Sequence, residues 1–252
     1  AKDPYFRTLN LSVSTFNDAS TSFFHYSLGG YHGAKMKIYQ ELVETQMNRD
    51  IQTLQAKFGQ GARGAQAFTG LNALNMLNTR YVIFPRQQGG PIPVENPNRL
   101  GNAWLVNKIQ PVANADEELA ALANFNPANT AIMRQKYADM VGEVKPSNGS
   151  ISLKSYDPEV LVYGYNASSE SLALFSEIWY PENWEATIDE EKVDILRANY
   201  VLRALKVPAG KHEITFRYVD SASGTANTLA LISSLLILIA VPLLLIREQK
   251  KA

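Results

Sequence analysis

The feature that most constrains this chain is an apolar run near its end, Leu229 to Ile246, LALISSLLILIAVPLLLI. It carries no charge, and its polar side chains are Ser233 and Ser234. Its eighteen residues make a helix of ~27 Å at ~1.5 Å per residue, close to the hydrocarbon thickness of a bilayer. A core helix of a soluble protein is rarely apolar on every face over that length. Pro242 would break such a helix, whereas membrane helices accommodate it when neighbouring helices or Ser side chains satisfy the freed carbonyl. The run from Arg247 to Lys251 follows at once, and its cations assign that end to the cytoplasm. The run is therefore expected to be a transmembrane helix, with everything before about residue 226 on the far side. A hydrophobic helix buried in a soluble core or a dimer interface is the alternative.

The remaining 228 residues before that run allow one large or two modest domains. The charges balance, 24 basic against 24 acidic, so no clustered basic surface for nucleic acid is indicated. Cysteine is absent, which removes disulfides, thiol nucleophiles and thiolate-ligated metals but leaves the compartment open. The start, Ala1-Lys-Asp-Pro-Tyr5, lacks the charged and apolar regions of a signal peptide and lacks an initiator methionine. The expectation is a chain that forms the tail of a longer polytopic protein, a tail anchor being the other route.

The chain divides by pattern. Tyr5–Phe16 alternates as one or two strands. Ala34–Lys57 carries Ile38, Leu42, Met47, Ile51 and Leu54 at helical spacing. Gly59–Gly70 matches neither GxxxxGK[ST] nor GxGxxG and reads as a loop. A short helix over Leu71–Leu77, strands over Arg80–Phe84 and Ala103–Ile109, and a helix over Asp116–Phe125 follow. The intervening residues from Gln87 to Asn102 read as an irregular connection, and a second helical piece falls between Asn126 and Gly142. From Ile151 the pattern becomes strand after strand: Ile151–Ser155, Glu159–Asn166, Leu172–Trp179, Trp184–Ile188, Val193–Leu196, Val201–Val207 and Glu213–Val219. Strands at that spacing argue a β-sandwich or jelly roll. The fold class is thus α+β: an N-terminal mixed α/β domain (1–145), a jelly-roll-like sandwich (146–220), a small-residue tether (221–228), the transmembrane helix (229–246) and a cytoplasmic tail (247–252).

Two stretches could carry chemistry. Asn17 to Lys35 gathers Asn17, Asp18, His25, Tyr31, His32 and Lys35 around glycines 29, 30 and 33. Glycine lets backbone approach a ligand closely, and imidazole or carboxylate could act as base or cation ligand. The spacing matches no metal template, so no metal site is assigned. A tight glycine turn with stacked aromatics is the structural alternative. The second stretch is Trp179, Tyr180 and Trp184, whose rings could stack on a sugar, with Glu182 and Asn183 at hand for hydroxyls; closure of a sandwich core is the alternative. Three N-x-[ST] sequons begin at Asn10, Asn148 and Asn166, a number chance supplies. A G-x-S-x-G nucleophile elbow is missing.

Several fixed words in fixed order carry a resemblance. Phe175-Ser-Glu-Ile-Trp-Tyr-Pro-Glu-Asn-Trp184, Arg197-Ala-Asn-Tyr-Val-Leu-Arg-Ala204 and Val207-Pro-Ala-Gly-Lys-His-Glu-Ile-Thr-Phe-Arg-Tyr218 together resemble the C-terminal part of bacterial YfhO-type membrane proteins. The LGGYHGAK of residues 28–35 resembles the Bacteroidetes branch. The resemblance implies a polytopic parent similar to GT-C glycosyltransferases, which move a sugar from a polyprenyl-phosphate donor to an envelope acceptor. It implies the bacterial inner membrane, with the bulk of the chain extracytoplasmic and the C-terminus cytoplasmic. The partners implied are the lipid bilayer, the upstream transmembrane region, lipid-linked sugar and envelope glycan, with no nucleic acid. The catalytic acid of such enzymes would lie upstream of Ala1, so this portion alone would not be catalytic. Its Asn17–Lys35 loop would contact sugar, phosphate or acceptor. No cofactor is evident in this portion; a divalent cation would belong to the full-length protein. The alternative function is a non-enzymatic membrane-anchored glycan-binding or scaffolding module.

Overall fold

A computed structural model describes residues 4–180 and 182–249, except for the side chains at 221–223, 225, 243–246, 248 and 249. The N-terminal part is built from short elements. Strand β1 (Arg7–Asn10) pairs parallel with β2 (Thr79–Phe84), and β2 pairs antiparallel with β3 (Ile92–Glu95). Between β1 and β2 lie α1 (Lys37–Leu42), a π-helical turn (Val43–Met47), α2 (Asn48–Gly59), α3 (Gly64–Phe68) and α4 (Asn72–Met76). The Asp50 carboxylate accepts the Ala73 and Leu74 amides at 2.9 and 3.2 Å, satisfying donors at the start of α4.

Strand β4 (Ala103–Val106) ends at a sharp bend. The amides of Asn107 and Lys108 both donate to Asn129 O, each at 3.1 Å. Beyond the bend, β5 (Lys108–Val112), α5 (Ala115–Ala121) and β6 (Thr130–Arg134) form a parallel pair with a helical crossover, and α6 (Gln135–Val141) follows. That bend divides the single strand expected over Ala103–Ile109. The sequence pattern also passed over β3, β6 and α3; α3 earns its place by burying Phe68 completely.

The later strands are β7 (Gly149–Asp157), β8 (Val160–Ala167), β9 (Ser171–Ile178), β10 (Trp184–Ile188), β11 (Glu191–Val193), β12 (Leu196–Ala198), β13 (Leu202–Val207) and β14 (Gly210–Tyr218). They form a five-stranded sheet, β11-β10-β14-β8-β7, packed on a four-stranded one, β12-β13-β9-β4. Both are antiparallel, and the sandwich expected from the strand pattern is present. One expected strand, Val193–Leu196, is two: the chain leaves one sheet after β11 and enters the other at β12.

The four-stranded sheet is covered on both faces, which is why β9 is buried at six successive positions. Along β9, Leu172 and Leu174 join the core shared with the helices, while Ala173 and Phe175 join the core between the sheets. Strand β4 divides likewise, Trp104 and Val106 to one core and Ala103 and Leu105 to the other. Period-two alternation thus feeds two hydrophobic cores from one sheet. Polar ties cross the same boundary. Arg7 donates to the Leu77 and Ser176 carbonyls at 3.2 and 2.7 Å and pairs with Glu177 at 3.3 Å.

After β14 the chain runs into α7 (Ser221–Gln249), 29 residues with Pro242 inside. The segment expected to be a tether is therefore the first part of this helix. Its described apolar side chains are exposed, Leu229 at 60% and Leu238 at 69%. Among the described residues, no helix is long and apolar enough to cross a membrane. The transmembrane helix expected over Leu229–Ile246 is therefore not supported among them. The expected span's last four side chains, and residues 250–252 of the expected tail, lie outside the described residues.

Candidate functional site

The segment between β1 and α1 is pinned to β1 and folded back on itself. The amide of Thr8 donates to Tyr26 O at 2.7 Å, and the Leu28 amide to Thr8 O at 3.1 Å. The Gly30 amide donates to Thr15 O at 2.8 Å. Gly29 sits so close to that strand of loop that a Cβ there would lie 1.9 Å from Thr15 O. This contact explains the glycine at 29, and the φ of +132° explains the glycine at 30. Lys35 closes the loop by donating from Nζ to Phe16 O at 2.6 Å.

The fold-back leaves an open cavity of about 400 Å³ against the first turns of α1. Phe16, Leu28, Tyr31 and Tyr39 give it apolar walls, and His32 and Lys35 stand at its rim. Tyr39 Oη donates to Leu28 O at 2.7 Å, and loss of solvent pushes its phenol up to about 12, so it is a strut and not a proton carrier. His32 Nδ1 accepts the Ala34 amide at 3.1 Å, so the neutral ring carries its proton on Nε2 and presents a donor. A neighbouring cleft of about 600 Å³ shares Tyr31, His32 and Lys35 and adds Asn17, Glu41 and Glu44.

The structure therefore brings together Asn17, Tyr31, His32 and Lys35. It places Asp18 and His25 apart from both cavities' linings. Asp18 is an exposed cap: its Oδ1 accepts the Ser20 hydroxyl and amide, and these bonds hold its carboxyl below the usual range. The helix side of the second cleft, Lys37, Gln40, Glu41 and Glu44, was missed in the sequence. Its signal is a polar stripe at i, i+3, i+4 and i+7. Gln40 Nε2 donates to Glu44 at 2.7 Å, and Lys37 pairs with Glu41 at 3.6 Å. Aromatic walls with cationic and imidazole donors suit a ring bearing an anionic group. Among the described residues no group of three His, Asp or Glu side chains is placed to hold a metal ion.

The other aromatic candidates line a separate cleft of about 300 Å³. Trp179, Tyr180 and Trp184 meet Glu185, Lys192 and Asp194 there. One face of Trp184 is taken by the Arg203 guanidinium, 4.0 Å from the ring centre, and Tyr218 packs edge-on at 5.6 Å. Asn183 Nδ2 donates to Tyr218 Oη at 3.0 Å, which commits one of the donors of the amide considered for sugar hydroxyls. Pro181, between these rings in sequence, lies outside the described residues. Tyr180 is 39% exposed.

The fold and clefts define a β-sandwich protein with a mixed α/β layer on one face, open surface cavities and a long apolar C-terminal helix. Residues 120–228 match the model of a family described as bacterial membrane protein YfhO. The match runs from within α5 through the sandwich to the first residues of α7; the Asn17–Lys35 loop lies outside it, and the branch of the family is not distinguished. No curated protein and no solved structure matches the chain.

Proposed function

We propose that this chain is the extracytoplasmic C-terminal portion of a polytopic envelope protein resembling polyprenyl-phosphate-sugar-dependent glycosyltransferases, and that the cavity under the Asn17–Lys35 loop contacts the substrate. The observation that carries this reading is the cavity itself. It joins the Tyr31 ring to the His32 and Lys35 donors at one rim, and its lining also includes Leu28 and Val43 of the core shared with the helices. An aromatic face suits a sugar, and the two donors suit its phosphate. The YfhO match over residues 120–228 supports a membrane parent. On this reading α7 continues through the bilayer with its end in the cytoplasm. Support comes from its all-round apolar exposure and from Ser233 and Ser234, whose hydroxyls are absorbed by Leu229 O and Ala230 O at 2.7 and 2.8 Å.

The test is transfer from a polyprenyl-phosphate sugar by the full-length protein, comparing wild type with Tyr31→Ala and His32→Ala. A lost stacking or hydrogen-bond contact of ~1–2 kcal/mol raises KM ~5–30-fold with kcat nearly held. Unchanged KM and kcat in both variants would remove the cavity from substrate binding. The second reading, a non-enzymatic glycan-binding module, draws on the exposed ring of Tyr180 in the cleft beside Glu185 and Asp194. Glycan retention lost in Tyr180→Ala, with no sugar transfer by the wild type, would favour it.

A further inference from the structure

Phe23 and Phe24 are 81% and 82% exposed, more than any described apolar side chain of α7. Their exposure is not slack in the chain. Thr21, just before them in the chain, is buried, its hydroxyl accepting Asn10 Nδ2 at 3.0 Å and its carbonyl accepting the Phe24 and His25 amides at 3.2 and 3.1 Å. Two residues on, Tyr26 is tied to β1 through the Thr8 amide. The backbone is held on both sides of the pair, and the two rings are held out into solvent. Withdrawing such rings from water is worth ~1.5–3 kcal/mol each, so a rigid tip that displays two of them is built to be covered.

The strand register says where this tip lies. Tyr26 packs on Tyr156 with ring centres 5.4 Å apart, and Tyr5 stacks on the same ring at 4.6 Å. Tyr156 of β7 pairs with Leu161 of β8, and Leu161 pairs with Phe216 of β14. Two strand spacings of ~4.8 Å put Tyr156 about 10 Å from Phe216 along that row. Two residues past Phe216 strand β14 ends, and α7 begins at Ser221. The phenylalanine tip and the root of α7 are therefore at the same end of the sandwich. Trp184 and Tyr218 are paired at that end too. Amphipathic rings of this kind belong at the headgroup level of a membrane. From Ala19 to Tyr26 the tip holds no Asp, Glu, Lys or Arg, so it enters an apolar phase without stripping water from a fixed charge.

We propose that Phe23 and Phe24 form a wedge that inserts into the bilayer interface beside α7. The inference rests on the reading of α7 as a membrane helix and adds a second point of contact. Ala19 and Ser22 line the cavity that holds His32 and Lys35, so the wedge sets that cavity at headgroup height, where the phosphate of a lipid-linked sugar would lie. The covering phase is lipid and not a partner protein, because the tip shares its end of the fold with α7 and with the interfacial rings.

The chain has no cysteine, so single nitroxide labels are unambiguous. The full chain would be labelled at Phe24→Cys, at Leu236→Cys on α7 and at Glu191→Cys as an aqueous reference, in phosphatidylethanolamine–phosphatidylglycerol vesicles. The reading is the ratio of collision with dissolved oxygen to collision with a water-soluble nickel chelate. The expected result is a ratio at Phe24 several-fold above Glu191 and approaching that of Leu236. A water-like ratio at Phe24 with a lipid-like ratio at Leu236 overturns the wedge and leaves the span standing. A label at Phe24 shielded from both colliders also overturns it, because protein then covers the tip. A water-like ratio at Leu236 overturns the span and the wedge together.

Discussion

Gly29 shows how much of the candidate site rests on one missing side-chain atom. Its Cα approaches Thr15 O so closely that any Cβ collides with backbone, which cannot rotate away. Gly29→Ala should push the loop off Thr15, break the Gly30–Thr15 hydrogen bond and cost ~1–3 kcal/mol, read as a fall in the urea midpoint at unchanged slope. A Gly33→Ala control, with open space around its Cβ, should show less than ~1 kcal/mol. If both variants behave alike, the close approach is not what shapes the cavity. The glycines and rings of this segment were legible in the sequence because turn chemistry is local. The separate fates of His25 and His32 were not, because they depend on which way a pinned loop faces.

At the level of single elements, the β10–β11 hairpin carries avoidable strain. Its turn residues Asp189 and Glu190 have φ of 49° and 72°, between the paired Ile188 and Glu191. Asp189 is tolerated there because its carboxylate works: Oδ1 accepts the Glu213 amide at 2.8 Å and Oδ2 meets His212 Nδ1 at 2.6 Å. Glu190 has no such recompense, and two-residue hairpin turns favour Asp-Gly. Glu190→Gly should stabilise the protein by ~0.5–1 kcal/mol once the extra unfolded-chain entropy of glycine is subtracted, seen as a higher melting temperature. An unchanged or lower melting temperature would mean that the turn is unstrained. The strands of the sandwich were readable because each alternates and is bounded by turn residues. The break between β11 and β12 was not, since a chain that swaps sheets without a Gly or Pro reads as one continuous strand. Nor was β6, whose four buried positions in a row give no alternation to detect.

Across the whole molecule, the helical layer and the sandwich are joined by a buried ionic knot. Glu118 of α5 is fully buried and meets Arg197 at 2.9 Å and Arg134 at 3.4 Å. Its other oxygen accepts the amide of Tyr200, a bulky residue at φ 68°, whose hydroxyl in turn donates to Glu41 at 2.5 Å. Removing the carboxylate strands a buried guanidinium and frees a strained turn at once. Glu118→Ala should therefore cost ~3–5 kcal/mol, with the helical layer and the sandwich still melting in one transition because the four-stranded sheet serves both cores. Two transitions would show that the layers fold separately. The charge pattern alone could not announce this knot, because its members are drawn from α5, β6 and β12, far apart in the chain.

One consequence concerns load. Strand β14, which leads into α7, is an interior strand, laddered to β10 on one side and to β8 on the other. A pull on α7 along the strand direction would be resisted in shear by two ladders together, the stiff mode of a sheet, and not unzipped one bond at a time as an edge strand would be. Movement of that helix would pass into the sandwich as a rigid displacement, and through the Tyr156–Tyr26 contact to the loop that frames the cavity.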